Sequence, residues 1–248
     1  MKKLTLLLWI CLVSVVQSVY SQNINSARVT YSVEKTLPPD YLKRINDNFT
    51  LSENSKETLI NSYHLNKSVH AILEFNKNES FYKASKRDTD KQRNKTLRGL
   101  NFSFILAVGS YYKYYSNTLE NIQFYKAQNL GGQFELVYFE KHKWKLVDGN
   151  TNILGYSCKK AIKINENKKS KNETIVWYTE KIPFSFGPKD YSGLPGLILK
   201  IEKGNDTFLA TKIEINPQEL KLRKPTAKLK TTLKEKRKAF QKLMDENK

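Results

Sequence analysis

The chain has 248 residues, of which 12% are aromatic, and carries a net charge of +19 at pH 7. This length allows one large all-β domain or one domain with appendages. Once an N-terminal leader containing Cys11 is set aside, Cys158 is the remaining cysteine. This excludes an internal disulfide, so a hydrophobic core must stabilise the fold.

Residues 1–21 are predicted to be a secretory signal peptide. Two lysines precede a largely apolar run from residue 4 to residue 19, which is short for a membrane span, and Ser21 supplies a small residue at the cleavage point. Cys11 lacks the preceding small residues that lipoprotein processing usually needs. The mature chain is therefore expected to be soluble and exported.

Residues 22–220 are predicted to form one antiparallel β domain. Period-2 alternation in "ARVTYSVE" indicates a strand that ends before two prolines. Residues 40–61 instead suit one or two short helices, and "SVHAILEF" and "SFYKAS" return to strand. Residues 84–99 are polar and basic, which is typical of a mobile loop.

Further strand signals recur at short intervals, with Gly or Asn between them: "NFSFILAV", "SYYKYYS", "IQFYKAQ", "FELVYFE", "WKLVD", "YSCKKAIKI", "TIVWYTE", "GLILKIE" and "TFLATKIEI". Their hairpin-length gaps favour an antiparallel meander over βαβ units. The expected fold is mainly β: a single curved antiparallel sheet or half-open barrel of about 8–11 strands, with a short helical insertion and a C-terminal amphipathic helix.

Residues 221–248 are predicted to be a basic helical tail, because they hold eleven Lys or Arg against three carboxylates. A helix is expected from about Ala227 to Asn247. Its apolar residues approximate helical spacing: Leu229, Leu233, Phe240, Leu243 and Met244. The simplest interpretation is a solvated basic helix, and the alternative is peripheral contact with an anionic membrane surface or lipopolysaccharide. Export argues against nucleic acid as a partner.

No catalytic, cofactor-binding or metal-binding residue is predicted. The three histidines lack the spacing of a zinc site, and each is interpreted as a polar surface residue: His64, His70 and His142. Four carboxylates flank strand signals and could meet across strands, which leaves a glycoside hydrolase as a weak alternative. They are Glu173, Glu180, Asp190 and Glu202.

Cys158 lies beside Lys159 and Lys160, whose charges would favour a thiolate. Strand alternation puts Cys158 on one face with Tyr156 and Lys160. A free thiol among aromatic residues is more often a small buried side chain, so a core position is predicted. A reactive or metal-linked role is the alternative.

Four motifs follow one another in the second half of the chain: "GYSCKKA", "WYT" with a following "IP", "GP", and "GLPGLI" at residues 193–198. In this combination the chain closely resembles the GLPGLI family of exported bacterial proteins. The resemblance covers roughly residues 142–202, with weaker likeness back to about residue 27. It implies a set of signature positions with a structural role: Trp144, Gly155, Tyr156, Cys158, Lys160, Ala161, Trp177, Tyr178, Thr179, Pro183, Gly187, Pro188, Gly193, Leu194, Pro195, Gly196 and Leu197.

The resemblance implies a location and a fold, but the family has no established activity. The β-rich pattern is similar to the half-open sheets of periplasmic lipoprotein carriers and to the bowl-like N-terminal domain attached to some exported glycoamidases. The expected location is the periplasm or envelope of a Gram-negative bacterium. Residues 194–197 place Pro second and Gly third, which predicts a type II turn forming a rigid corner before the last hairpin.

Three functions are compatible with these patterns. A non-enzymatic binding or carrier module for a hydrophobic or peptide ligand, without a cofactor, is favoured. An accessory protein that docks on an outer-membrane or secretion partner through sheet edges or the C-terminal helix is the alternative. An envelope hydrolase is less favoured, because it would need acid, base or nucleophile groups converging in one pocket.

Overall fold

The computed structural model describes residues 23–36, 40–65, 68–85, 112–129, 131–164 and 173–246. The strands are β1 (Ser26–Lys35), β2 (Val69–Asn76), β3 (Glu79–Ala84), β4 (Lys113–Asn117), β5 (Ile122–Gln128), β6 (Phe134–Tyr138), β7 (Trp144–Ile153), β8 (Tyr156–Lys163), β9 (Thr174–Thr179), β10 (Leu197–Lys203), β11 (Asp206–Ile215) and β12 (Leu229–Thr232). The helices are α1 (Tyr41–Asn46), α2 (Glu53–Leu65) and α3 (Leu233–Glu246).

All described strands belong to one sheet, in the order β12-β6-β5-β4-β3-β2-β1-β11-β10-β9-β8-β7. Strand β1 divides it into two arms, a β2–β6 meander on one side and a β7–β11 meander on the other. The predicted mainly β fold, built on a single sheet, is confirmed. In the described part of the chain the sheet has twelve strands, where about 8–11 were expected, and it is mixed because its outermost pair, β12 and β6, is parallel.

The connection between the arms shows that the sheet is strongly curved. Strands β6 and β7 are ten strand spacings apart, which would be roughly 48 Å along a flat sheet. Residues 139–143 alone join them, and a chain of that length spans at most about 23 Å. The arms must therefore approach each other, although β12 and β7 remain the two separate edges of an open sheet.

One face of the sheet carries the main core, and we call it the inner face. Its buried residues alternate along β1 and β2, as in Val29, Tyr31, Leu73 and Phe75. The Tyr31 hydroxyl donates a 2.6 Å hydrogen bond to the carbonyl oxygen of Ile198. This bond satisfies a phenol that would otherwise be costly to bury.

The β9–β10 connection, residues 180–196, lies against the inner face between the two arms. Its Ile182 and Phe186 are buried, and the rings of Phe184 and Phe186 lie 5.4 and 5.6 Å from that of Phe75 in β2. The hydroxyl of Ser192 also donates to the side-chain oxygen of Gln123 in β5, at 2.8 Å. The core is therefore built from the sheet and from this connection together.

After β11 the chain crosses the opposite, outer face of the sheet. Arg28 donates to the carbonyl oxygen of Glu219, Lys224 forms an ion pair with Glu120, and Ala227 packs on a second buried cluster. That cluster is Tyr115, Phe124 and Leu136. This path delivers the chain to the far edge of the sheet, where it becomes β12.

The predicted start of the C-terminal helix near Ala227 is wrong. Residues 229–232 pair with β6, and the helix begins only at Leu233. The sequence pattern did not distinguish the strand from the helix, because Leu229 and Leu233 also have the spacing of one helix face. The segment from residue 221 therefore contributes a strand to the sheet as well as a helix.

The predicted helical insertion is confirmed as α1 and α2. The proposed signal peptide, the strand signal at residues 101–108 and nearly all of the predicted loop at residues 84–99 lie outside the described residues. Among the described residues, none of the helices is both long and apolar enough to cross a bilayer.

Candidate functional site

The glycine of the "GLPGLI" corner is required by close packing. A Cβ on Gly196 would lie 2.1 Å from the carbonyl oxygen of Thr179 at the end of β9, which is far inside van der Waals contact. The predicted type II turn over residues 194–197 is wrong, because that turn needs a positive φ at Gly196. The positive φ, +96°, belongs instead to Gly193. The corner is thus tight because two chain segments touch.

Other signature residues pack around the same corner. A Cβ on Gly187 would lie 2.7 Å from the carbonyl oxygen of Tyr191 and 2.9 Å from Ile198. Pro188, Leu194 and Leu197 are buried, whereas Pro183 and Pro195 are exposed. The backbone N–H of Leu197 donates to the carbonyl oxygen of Ile182 at 3.0 Å.

The remaining signature residues lie in the neighbouring strands of the same arm. Ala161, Tyr178 and Thr179 are buried, and Tyr156 is half-buried. Gly155, with φ +83°, forms the β7–β8 turn. The ammonium of Lys160 lies 5.7 Å from the centre of the Trp177 ring, and the Trp177 indole donates to Glu202 at 3.1 Å.

Cys158 is buried in the main core. Burial raises the pKa of its thiol to about 11, because the apolar surroundings disfavour the thiolate, although a backbone hydrogen bond at Ile153 opposes the shift. The thiol is therefore protonated at neutral pH. This environment suits a packing residue rather than a nucleophile.

A compact group of polar and aromatic side chains joins the start of β7 to the β9–β10 connection. We call His142, Trp144, Asp190 and Tyr191 the hinge cluster. His142 Nε2 lies 3.0 Å from Asp190 Oδ2, and the His142 ring is 5.3 Å from Tyr191 and 5.9 Å from Trp144. Trp144 Nε1 donates to the carbonyl oxygen of Ser192 at 2.8 Å.

The interpretation of His142 as a surface residue is wrong, because its side chain is only 13% exposed and is paired with Asp190. No local pattern indicated this contact, since the two residues are 48 positions apart. His70 is exposed, as predicted, and the side chain of His64 lies outside the described residues.

The charge of Asp190 is stabilised by its neighbours. Burial opposes ionisation, but the hydrogen bond from His142 and the charges of His142 and Lys189 outweigh it and hold the pKa of Asp190 well below its ordinary value. The ammonium of Lys163 lies 6.0 Å from the centre of the Tyr191 ring. Burial lowers the pKa of Lys163, and the Asp190 charge opposes that shift.

Three of the four carboxylates considered for a hydrolase have separate partners in the structure, and the fourth, Glu173, is exposed. Glu180 pairs with Lys159 at 2.8 Å, and Glu202 pairs with Lys200 at 2.8 Å in addition to accepting the Trp177 bond. Asp190 pairs with His142 in the hinge cluster. Each of these three carboxylates thus has a local structural role, and the hinge cluster ties the start of β7 to the β9–β10 connection.

Strand β7 forms one edge of the sheet, and among the described strands it pairs only with β8. It has ten residues, and its pairing is interrupted by an irregularity between Val147 and Asn150. Leu146 is 59% exposed, and an open groove of about 410 Å³ runs beside it. That groove is lined by Lys145, Leu146, Val147 and Asp148. The pattern in "WKLVD" predicts this strand, but a local pattern contains no information on whether a strand lies at an edge.

A larger open groove, of about 720 Å³, lies on the outer face around Arg28. Arg28 is already bound there by Glu74 at 2.8 Å and by Glu214 at 3.1 Å. Since these carboxylates and the carbonyl oxygen of Glu219 engage its guanidinium, the groove offers little unused binding capacity. The β7 edge is therefore the better candidate for a functional surface.

Part of the sequence matches a family of unknown function. The sequence model of a family described as "Protein of unknown function (Porph_ging)" matches residues 163–200. Comparison with curated protein sequences gives no significant match.

Two crystal structures of PNGF-II have a similar fold. The form in space group P21 gives a TM-score of 0.52 at 16% identity, and the form in C2 gives 0.50 at 17%. They cover 86% and 84% of this chain but only 32% and 31% of their own. The chain thus spans about a third of the length of PNGF-II, and at this identity the likeness concerns the fold alone.

Proposed function

We propose that the chain is a member of the GLPGLI family, exported to the periplasm or envelope of a Gram-negative bacterium. The signature hexapeptide at residues 193–198 falls inside the matched region 163–200. The positively charged and then apolar N-terminus supports export. Mass spectrometry of the exported fraction should find a mature N-terminus at Gln22, and an intact Met1 in that fraction would contradict the proposal.

Within that setting, the protein is a non-enzymatic binding module for an extended peptide, either free or supplied by a partner protein. The observation that supports this is the exposed β7 edge with its side groove. An edge strand presents unpaired backbone donors and acceptors, and an added peptide strand can pair with them.

The side chains of β7 supply the means of selecting a peptide. Leu146 offers an apolar contact on one face of β7, and Lys145, its neighbour in the chain, lies on the other face. Since successive residues of an added strand also face opposite sides of a sheet, one peptide side chain would meet Leu146 and the next would meet Lys145. A peptide with an apolar residue next to an acidic one is the expected ligand class.

A peptide is preferred to an acyl chain because the β9–β10 connection already covers the inner face of the sheet. Phe184 and Phe186 of the β9–β10 connection are packed there against Phe75. An acyl chain on this face would have to displace them and lose the contacts that stabilise the core. The edge, in contrast, can accept a strand without any rearrangement of the core.

The test uses peptides chosen from a random library on the purified chain. Each selected peptide is then synthesised in two forms, with N-methyl groups on its even or on its odd residues. An added strand turns alternate N–H groups toward β7, so one form should lose binding at least tenfold and the other should keep it. Anisotropy of a labelled peptide measures both forms.

Leu146→Asp should weaken the same peptides, and Leu119→Asp is the matched control, because Leu119 is also exposed but lies in the turn between β4 and β5. Equal tolerance of both N-methylated forms would contradict strand addition. Equal loss from both leucine variants would place the peptide elsewhere.

A further inference from the structure

Helix α3 is a capped helix that directly follows the edge strand β12. Its first turn is closed by a capping box, in which the Glu235 N–H is bonded to the Thr232 hydroxyl at 3.2 Å and the Thr232 N–H to the Glu235 carboxylate at 2.7 Å. An ion pair between Lys236 and Glu135 of β6 fixes the helix to the sheet. The helix is thus held in place at its N-terminal end.

Farther along, α3 carries an apolar side chain that the sheet does not cover. Phe240 is 65% exposed. At 100° per residue, Arg237 lies about 60° from Phe240 on one side of the helix and Lys236 about 40° away on the other. Lys236 is engaged by Glu135, so Arg237 is the available cation beside the ring. An exposed aromatic ring next to a cation is typical of a surface that meets a lipid headgroup region.

The helix and the strand before it also carry cations without an ion pair. Lys234, Arg237 and Lys238 are exposed and form no ion pair within 4 Å in the described part of the chain. Arg237 lies beside the Phe240 ring, whereas Lys234 and Lys238 lie about 120° and 160° from it around the helix. On the adjoining β12 and the residue before it, Lys230 and Lys228 are exposed as well. This end of the chain therefore offers five exposed cations, of which Arg237 is nearest to the ring.

We propose that α3 and β12 form a docking surface for an anionic lipid bilayer. Phe240 would enter the headgroup region, while the cations of α3 and β12 bind lipid phosphates. This proposal does not rest on peptide binding at β7, which involves other side chains.

Charge complementarity favours a lipid surface over a protein. Two copies of the chain meeting through this surface would bring like charges together. One exposed aromatic ring is also much smaller than the apolar centre of a stable protein interface. A bilayer accepts a single inserted ring and supplies phosphates wherever the cations lie.

The experiment measures co-sedimentation with vesicles for the chain that begins at Gln22, which retains every described residue. Vesicles contain phosphatidylcholine alone or with about 30% phosphatidylglycerol. The anionic vesicles should bind the chain at least tenfold better, and 0.5 M salt should remove most of that gain.

Two variants and two matched controls locate the surface. Phe240→Ser should lower partitioning about fivefold, and Phe49→Ser should leave it unchanged, since Phe49 is 96% exposed between α1 and α2. Charge reversal of Lys234, Arg237 and Lys238 together should lower it about 100-fold. The control reverses three exposed lysines elsewhere, Lys113, Lys141 and Lys181, for the same change in net charge.

Three outcomes would overturn the proposal. Equal binding to both vesicle types would remove the role of charge. Equal losses from the α3 reversal and from its control would show that net charge acts without a defined surface. A dimer that disappears in Phe240→Ser, measured by light scattering without vesicles, would assign the surface to a second copy of the chain.

Discussion

The β9–β10 connection and the β7 edge are neighbours, linked by the hydrogen bond from Trp144 to Ser192, yet they differ in burial and in packing. In the connection, Ile182 and Phe186 are buried and a Cβ at Gly196 has no room. Along β7, Leu146 is exposed beside an open groove. One region is closed by packing and the other is available to solvent.

This difference separates the residues that stabilise the fold from the residues that are available to bind a ligand. The connection and the hairpins beside it contain the signature positions, whereas residues 145–152 of β7 contain none of them. If the signature residues serve packing, proteins that share them would keep the same sheet. Such proteins could still bind different ligands, because their edge residues would be free to differ. Substitutions in the closed region and then in the open one test this division.

The largest effect is expected at Gly196. Gly196→Ala would put a methyl group 2.1 Å from the Thr179 carbonyl oxygen, and backbone atoms cannot yield as a flexible side chain can. We expect the free energy of unfolding to fall by about 3 kcal/mol or more. Urea denaturation followed by circular dichroism measures this change.

Gly155→Ala is the matched control for that measurement. Gly155 has φ +83°, but nothing lies within 4 Å of the position that a Cβ would take, so only backbone strain acts there. A loss of about 1 kcal/mol is expected. If both alanine variants lost the same stability, close packing at Gly196 would not be the reason for its glycine.

The next effect is expected at the hinge cluster. Asp190→Asn removes a charge that His142 and Lys189 stabilise, and should lower the free energy of unfolding by about 2 kcal/mol at pH 6. Because the pKa of Asp190 is lower in the folded than in the unfolded chain, its contribution is present above the unfolded pKa of about 3.9 and is lost on acidification.

The stability difference between wild type and Asp190→Asn should therefore shrink as the pH falls from about 5 to 3. Denaturation midpoints across this range measure it. Asp148→Asn is the control, because Asp148 lies in the β7 groove and is exposed. A difference that stays constant with pH would show that Asp190 acts through its shape and not through its charge.

A smaller effect is expected at Cys158. Cys158→Ala leaves a small void in the core and should cost about 1 kcal/mol. In the chain that begins at Gln22 this thiol is the only one, and burial raises its pKa to about 11. Ellman's reagent at pH 8 should therefore label the folded protein far more slowly than the urea-unfolded protein. Rapid labelling of the folded chain would contradict the core assignment.

The parts of the fold that sequence predicted well depend on local pattern. Alternation in "ARVTYSVE" predicted β1, the strand signal "TIVWYTE" predicted β9, and the change of character after the first strand predicted α1 and α2. The strand signals work because β1 and β9 bury alternate residues, and this pattern is visible in neighbouring residues of the sequence.

The parts that sequence missed depend on contacts between distant residues. The His142–Asp190 pair joins positions 48 apart, and β12 exists because β6 offers an edge to residues 229–232. The reason for Gly196 was also mistaken, since its neighbour is Thr179 of another strand rather than the turn itself. Local propensity contains no information on such approaches.

The smallest effect on stability is expected at the open region. Leu146→Asp exchanges an exposed apolar side chain for a charged one, so the free energy of unfolding should change by less than about 0.5 kcal/mol. The same variant should weaken peptides that add to β7 at least tenfold, because their apolar contact is lost. Denaturation and anisotropy on one sample measure both quantities. If stability fell by about 2 kcal/mol or more, β7 would belong to the closed region, and the separation of packing from recognition would be wrong.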